Sequence, residues 1–357
     1  QSSRRIHLVR KAMADQNLDS FLVTDRANIG WLTGFTGSSG YVLLLKSSEL
    51  FATDSRYTEQ AANQCPGWQI SKLASSSPEE IISLFSNDCG ASLGFESGNV
   101  THANFSQYEE KVGAGVTFIP TTSLIDSLRM VKDSDEVNAI RIACGIADKA
   151  FSHIKPFIKP GVSERDLMIE LETYMRREHG ADIAFDTIVA SGWRSALPHG
   201  IASSKIVEFG DSITFDFGAK LNSYCSDITR TVMLGACSDK QKIVYDTVQN
   251  ALYSAIDAIK PGIEGVKIDA IARKVIGDAG FGEYFGHGLG HSLGRNVHDG
   301  PGFSPKSRAI MEPGMVITVE PGIYIPGEFG VRIEHDIVVT ESGCEILDSK
   351  TTDLTIV

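Results

Sequence analysis

No stretch of this 357-residue chain has 18 consecutive apolar residues, so no helical membrane span is expected. The six cysteines (Cys65, Cys89, Cys144, Cys225, Cys237, Cys344) include no CxxC pair and are too sparse for a disulfide scaffold. Reduced, mostly buried thiols are expected instead. Basic residues are the scarcer charge, with 33 Lys and Arg against 45 Asp and Glu and a net charge of -12. That balance argues against nucleic acid or an anionic membrane as the main partner. The opening residues, Gln1-Ser2-Ser3-Arg4-Arg5, carry no apolar signal core. A soluble cytoplasmic protein is the expectation. HExxH and GxGxxG are both missing, as are low-complexity tracts and long linkers.

What is present is a chain that is 42% hydrophobic and long enough for two domains. The first third alternates helix and strand signals. Ile6 to Gln16 has helical spacing, and Ser20–Thr24, Tyr41–Leu45, Leu50–Thr53, Leu93–Phe95 and Val116–Ile119 read as strands. Ser77-Pro78-Glu79-Glu80 carries a capping box with Pro at the first helical position. These signals predict an α/β domain over residues 1–125. The stretch Lys132–Glu136 then leads into a long helical pattern through Ile140, Ile146 and Phe151. Ser163-Glu164-Arg165-Asp166 and Ser238-Asp239-Lys240-Gln241 cap two more helices. Residues 126–357 read as an α+β domain whose mainly antiparallel sheet has two similar halves.

The halves announce themselves as an internal copy. Ile213-Thr214-Phe215-Asp216-Phe217-Gly218 recurs 104 positions later as Ile317-Thr318-Val319-Glu320-Pro321-Gly322. Each copy is followed by turn residues and a second acid, Asp227 or Glu334. Asp216 and Asp227 have their midpoint between Leu221 and Asn222. Glu320 and Glu334 have theirs at Gly327, inside Pro326-Gly327-Glu328. A hairpin turning at each midpoint places the two acids opposite each other, with Cβ atoms about 4.5–5.5 Å apart. Opposed carboxylates repel, and a cation removes the repulsion. Metals in two-metal hydrolytic sites sit about 3.5–4 Å apart, a separation that bridging carboxylates suit.

Histidines supply the remaining candidates. Gly286-His287-Gly288-Leu289-Gly290-His291 offers two imidazoles with glycines that let the backbone approach closely. His298 follows in Val297-His298-Asp299, and His199 lies in Leu197-Pro198-His199-Gly200. Gly290-His291-Ser292-Leu293-Gly294 also satisfies GxSxG, but a nucleophile elbow needs a strand before the serine and a helix after it. Glycine-rich and loop sequence flanks Ser292 instead, so a serine hydrolase is set aside.

These blocks, with Val331-Arg332-Ile333-Glu334, resemble the pita-bread metallopeptidases, the family of methionine aminopeptidase, aminopeptidase P and prolidase. Asp54-Ser55-Arg56-Tyr57 and Glu59-Gln60-Ala61 are similar to the N-terminal domain of the Xaa-Pro branch. The resemblance implies a creatinase-like α/β first domain. It also implies a pita-bread second domain with a pseudo-two-fold antiparallel sheet. It implies the metal ligands Asp216, Asp227, His291, Glu320 and Glu334, with Asp227 and Glu334 bridging two divalent ions. Four carboxylates and one imidazole favour Mn²⁺, with Co²⁺ or Zn²⁺ as alternatives. His335 departs from the acid that many relatives carry after the ligand glutamate.

The resemblance further implies roles. Glu320 takes a proton from water and returns it to the leaving nitrogen. His298 stabilises the carbonyl's developing charge. His199 holds the substrate near the leaving side, and His287 shapes the proline pocket. Arg332 orients Glu334 or a neighbour. The partner is then a peptide with proline in second position, and relatives suggest a homodimer. An Xaa-Pro aminopeptidase is the leading expectation, because the Pro326–Phe329 loop contains no Arg to bind a dipeptide's carboxylate. The alternative is an Xaa-Pro dipeptidase (prolidase), and a metal-free creatinase-like or binding member ranks third.

Overall fold

The computed structural model describes residues 2–75, 77–84, 89–112 and 115–357, without the side chains of Pro78 and Glu79. The chain divides into two compact units, one ending at Arg129 and one running Met130–Val357.

The first unit holds strands β1 (Ser20–Val23), β2 (Tyr41–Leu44), β3 (Glu49–Asp54), β4 (Gln69–Leu73), β5 (Ser92–Glu96) and β6 (Thr117–Thr121). Its helices are α1 (Ser2–Asp15), α2 (Arg26–Thr33), α3 (Thr58–Gln64), α4 (Pro78–Ser83), α5 (His102–Lys111) and α6 (Leu124–Arg129). The strands form one sheet in the order β4-β3-β2-β1-β5-β6, in which β2 alone runs antiparallel to its neighbours. Period-two alternation gives that sheet two buried faces. Phe21 and Val23 pack with Val9, Met13 and Trp31, while Leu22 packs with Leu93, Phe95 and Tyr108. The capping box predicted at Ser77 is half made. Ser77 accepts from the Glu80 amide at 3.4 Å, but the Glu80 carboxylate reaches back to the amides of Ala74 and Ser75.

The second unit is built from two similar halves. Its first half has α7 (Ser134–Ile154), α8 (Glu164–His179), β7 (Asp182–Ile183), β8 (Ile188–Ser191), β9 (Ser212–Phe217), β10 (Ala219–Leu221), β11 (Tyr224–Cys225) and β12 (Ile228–Met233). Its second half has α9 (Asp239–Ala258), α10 (Gly265–Asp278), β13 (Val316–Val319), β14 (Gly322–Ile325), β15 (Phe329–Arg332), β16 (His335–Val339) and β17 (Cys344–Ile346), followed by β18 (Thr355–Ile356). Asp133, Ser163 and Ser238 each close a capping box at the start of α7, α8 and α9.

The halves match bond for bond. Gly161 N donates to Val207 O and Val207 N to Val162 O; Gly262 N donates to Met311 O and Met311 N to Ile263 O. Both glycines have positive φ, 94° and 83°, in the copied sequence Ile-Lys-Pro-Gly. The bridge Ser191↔Ile213 recurs as Ser292↔Ile317. Each half lays its helix pair on its own strands. Ile146, Leu167 and Leu171 pack on Ile213, Phe215 and Phe217; Val248, Leu252 and Ile268 pack on Ile317, Val319 and Ile337. Alternation therefore turns Thr214 and Asp216, like Thr318 and Glu320, to the opposite face. That shared face builds the site. No helix among the described residues is long and apolar enough to cross a membrane.

Candidate active site

The register corrects one expectation about the acids. In the first hairpin Asp216 pairs with Thr229 and Phe217 with Ile228, so Asp216 and Asp227 are diagonal neighbours, not opposed ones. The turn falls at Asn222-Ser223, with φ of 49° and 68°, between Leu221 and its partner Tyr224. Continuing that register sets Gly218 across from Asp227, where a Cβ would meet Ser226 O at 1.8 Å. Diagonal side chains on one face still reach each other. In the second hairpin Val319 pairs with His335 and Gly322 with Arg332. The register on either side of Glu320 and Glu334 thus sets those two acids opposite each other, around the turn at Gly327.

A cavity of about 570 Å³ opens on these strands. Its wall carries the acids Asp216, Asp227, Glu320 and Glu334. It also carries His199, His287, His291, His298 and Arg332, so every candidate from the sequence reaches one space. Asp227, His291 and Glu334 each contribute an atom to a group lying within 4.8 Å of one another. His291 Nε2 is 3.4 Å from Asp227 Oδ2 and 3.5 Å from Glu320 Oε1. The His291 and His298 rings are 4.2 Å apart.

The acids are strained electrostatically. Burial, then repulsion from Glu334 and Asp216, pushes Asp227 well above the usual carboxylate range. Burial, then repulsion from Glu320 and Asp216, does the same to Glu334. Glu320 is pushed up to about 8, first by burial. Glu334 Oε1 and Asp216 Oδ1 are buried with no hydrogen-bond partner among the described residues. Burying an ion unpaired costs several kcal/mol. A divalent cation among these oxygens offsets that penalty and accepts the orphaned lone pairs, so the donor set fits such an ion. Burial also lowers His291 and His287 to about 4, leaving neutral rings with a lone pair to offer at pH 7.

Supporting residues fix these groups, and most of them escape a reading of the sequence. Arg332 Nη2 donates to Asp216 Oδ2 at 2.6 Å, and Nη1 to Tyr324 OH at 2.8 Å. The guanidinium therefore orients Asp216, the neighbour, and not Glu334. Glu334 is held by Thr229 Oγ1 at 2.6 Å, and its carbonyl by Arg230 Nη1 at 2.6 Å. Tyr324 OH also meets His287 Nε2 at 2.8 Å. Thr318 Oγ1 lies 3.2 Å from Glu320 Oε1 and accepts from His291 N at 3.0 Å. Thr318 is the one with a signal, because the copied strands share Ile-Thr before each acid.

Asp269 and Arg273, one turn apart on α10, hold the glycine-rich loop. Asp269 Oδ1 accepts from Leu289 N at 3.1 Å, while Arg273 donates to Phe285 O at 2.9 Å and to His287 O. Gly290 lets that loop lie against β13, where a Cβ would meet Thr318 O at 1.9 Å. Ser292 is buried and donates to Pro301 O at 2.5 Å, with no helix after it, so it forms no nucleophile elbow. The departure at His335 is absorbed internally: its Nδ1 meets Asp348 Oδ1 at 2.6 Å. Burial opposes it, but His335 and then Arg230 hold Asp348 below the usual carboxylate range.

A copied pair of helix-backed hairpins with clustered acids and one close imidazole defines a two-domain metallopeptidase of the pita-bread fold. Residues 138–341 match the model of metallopeptidase family M24, and residues 5–131 match the creatinase/prolidase N-terminal domain. The chain belongs to metallopeptidase family M24. A solved structure named as an Xaa-Pro dipeptidase from Bacillus anthracis is 42% identical, with TM-score 0.96 over 100% of both chains. An X-Pro aminopeptidase structure from Thermotoga maritima is 38% identical, with TM-score 0.90 over 97% of this chain and 100% of that one. An Xaa-Pro dipeptidase of Pyrococcus furiosus is 35% identical over 346 residues, 96% of this chain and 97% of its own length.

Proposed function

We propose that this chain is a metal-dependent Xaa-Pro dipeptidase, cleaving the bond between an N-terminal residue and a following proline. The observation that carries the reading is the gathering of Asp227, His291 and Glu334 within 4.8 Å in the large cavity. The dipeptidases of Bacillus anthracis and Pyrococcus furiosus support this reading over the aminopeptidase expected from sequence.

In this reading Asp216, Asp227, His291, Glu320 and Glu334 hold two divalent ions, Mn²⁺ by the hardness of the donors. Such a pair, when bound, supplies Lewis acidity that acidifies water and polarises a carbonyl. Glu320 takes the proton of the attacking water and passes it to the proline nitrogen. His298 donates to the scissile carbonyl oxygen, where negative charge develops. His199 contacts the substrate on the leaving side, and His287 borders the proline ring. Arg332 keeps Asp216 in place. The reading includes a homodimer in the cytoplasm; the lack of any disulfide among the described cysteines fits a reducing compartment.

One observation favours the aminopeptidase as a second reading. Arg332 is the only Lys or Arg in the cavity wall among the described residues, and four of its five N–H donors are engaged by Asp216, Tyr324, Thr229 and Pro198. Little cationic hydrogen bonding is left for a dipeptide's carboxylate. Turnover of an Xaa-Pro dipeptide is expected to exceed that of the matching Xaa-Pro-Yaa tripeptide at least about tenfold in kcat/KM, the discrimination that about 1.4 kcal/mol provides. The reverse order would establish the aminopeptidase.

A further inference from the structure

The segment between Ser191 and Ser203 carries Pro198, His199 and Ile201 into the cavity wall. Both ends of this arm are tied to a single side chain. Glu164, at the start of α8, has a side chain that is 0% exposed. Its Oε1 accepts from Ser191 N at 2.8 Å and from Ser191 Oγ at 2.9 Å. Its Oε2 accepts from Ser203 N at 3.0 Å and from Ser203 Oγ at 2.6 Å. Arg194 completes the set: Nη1 pairs with Glu164 Oε2, and Nη2 donates to Ile201 O at 2.8 Å. One carboxylate thus closes the arm at its base, and its arginine grips the chain two residues beyond His199.

The fold itself does not demand a carboxylate there. In the second half the matching ladder, Gly265 N to Ala309 O and Val266 N to Ser307 O, repeats Glu164 N to Lys205 O and Arg165 N to Ser203 O. The residue equivalent to Glu164 is Gly265, so the same helix-to-arm junction forms without an acid. The metal-ligand candidates sit on other segments: β9, the residue just before β12, the His291 loop and the β13–β16 ribbon. What Glu164 adds is specific to the arm with His199.

We propose that Glu164 is a positioning residue that sets His199 against the substrate, through Arg194 and the two serines. The inference rests on the substrate-facing role of His199 given above. The test is a double-mutant cycle of Glu164→Gln with His199→Ala, read as kcat/KM on an Xaa-Pro dipeptide, with Mn²⁺ affinity measured on each protein. Glu164→Gln alone is expected to lose about tenfold to a hundredfold, the penalty of an angstrom-scale misplacement. In the His199→Ala background it should cost less than about twofold, because the two changes act through one contact. Mn²⁺ affinity should not move. Additive losses, a silent His199→Ala, or a parallel fall in Mn²⁺ affinity would each overturn the proposal. Hydrogen exchange supplies a substrate-free arm: residues 191–203 should exchange faster in Glu164→Gln while residues 285–291 do not. Unchanged exchange in the arm overturns the proposal even if the chain cleaves no Xaa-Pro peptide, whereas absent cleavage with faster exchange sinks only the functional reading. Ser203→Ala, which removes one bond, serves if Glu164→Gln fails to fold; it should show the same pattern at smaller amplitude.

Discussion

Arg332 Nη2 and Asp216 Oδ2 lie 2.6 Å apart, one residue on β15 and the other on β9, so this ion pair in the cavity wall joins the two halves of the copied fold. The same guanidinium reaches Tyr324 OH at 2.8 Å and Thr229 Oγ1 at 3.1 Å. Its planar fork, not its charge alone, makes these contacts together. Arg332→Lys keeps the charge and loses the fork. Its kcat/KM is expected to fall at least about tenfold, since one lost charge-assisted hydrogen bond is worth about 1.5–3 kcal/mol. Steady-state kinetics decide this, and wild-type values in Arg332→Lys would show that charge alone suffices.

Glu320 has a different partner set, Thr318 Oγ1 at 3.2 Å and His291 Nε2 at 3.5 Å, and no arginine contact within hydrogen-bond reach. A group that must take and return a proton needs that freedom. Glu320→Gln keeps the shape and removes the base, so kcat should drop at least about 100-fold, the lower scale of general-base catalysis. Near-normal kcat would remove Glu320 from the proton-transfer role.

The orphaned oxygens of Asp216 and Glu334 make a third prediction. Chelation should abolish activity, and Mn²⁺ should restore it. The same treatment should lower thermal stability, because an ion at 100 times its Kd contributes about 2.7 kcal/mol to the folded state. Calorimetric melts with and without chelator check this second half independently of turnover. A chelated protein that keeps full activity would refute a metal-dependent reaction.

What could be foreseen here depended on distance along the chain. The helix starts at Ser163 and Ser238 are local signals, and each forms its box; Asp133, in the charged stretch before α7, forms one as well. The acids and Thr318 were visible because a copy doubles a local pattern. Spacing alone does not locate a turn: Asn222-Ser223 adopt the positive φ that sets the hairpin and leaves Asp216 and Asp227 diagonal instead of opposed. Glu164, Asp269, Thr229 and Tyr324 carry no local mark. Thr229 meets Glu334 from 105 positions away, and Tyr324 meets His287 from 37. Such partners are chosen by how distant segments pack, within one half for Tyr324, Asp269 and Glu164 and between halves for Thr229, which no window of sequence contains.

A last prediction concerns Asp148 on α7, away from the cavity wall. It is pushed from 3.8 up to about 6, first by burial and then by Asp348, against the pull of Arg230 and the Ser349 amide. The folded-state value lies above the unfolded one, so the folded protein holds this proton more tightly. Stability is therefore lost as pH rises from about 4 to about 6, and the full loss is present at pH 7. The shift caps the effect at about 3 kcal/mol, and partial solvent access trims it to about 1–2 kcal/mol. Asp148→Asn removes the charge and keeps an oxygen for the Ser349 amide, now 2.7 Å away. The variant should be more stable than the parent at pH 7.5 by about 1–2 kcal/mol, and the advantage should vanish near pH 4. Urea unfolding at both pH values separates this from a general packing effect, which would shift both pH values alike. A variant no more stable than the parent at pH 7.5 means that Arg230 and the Ser349 amide already compensate the buried charge.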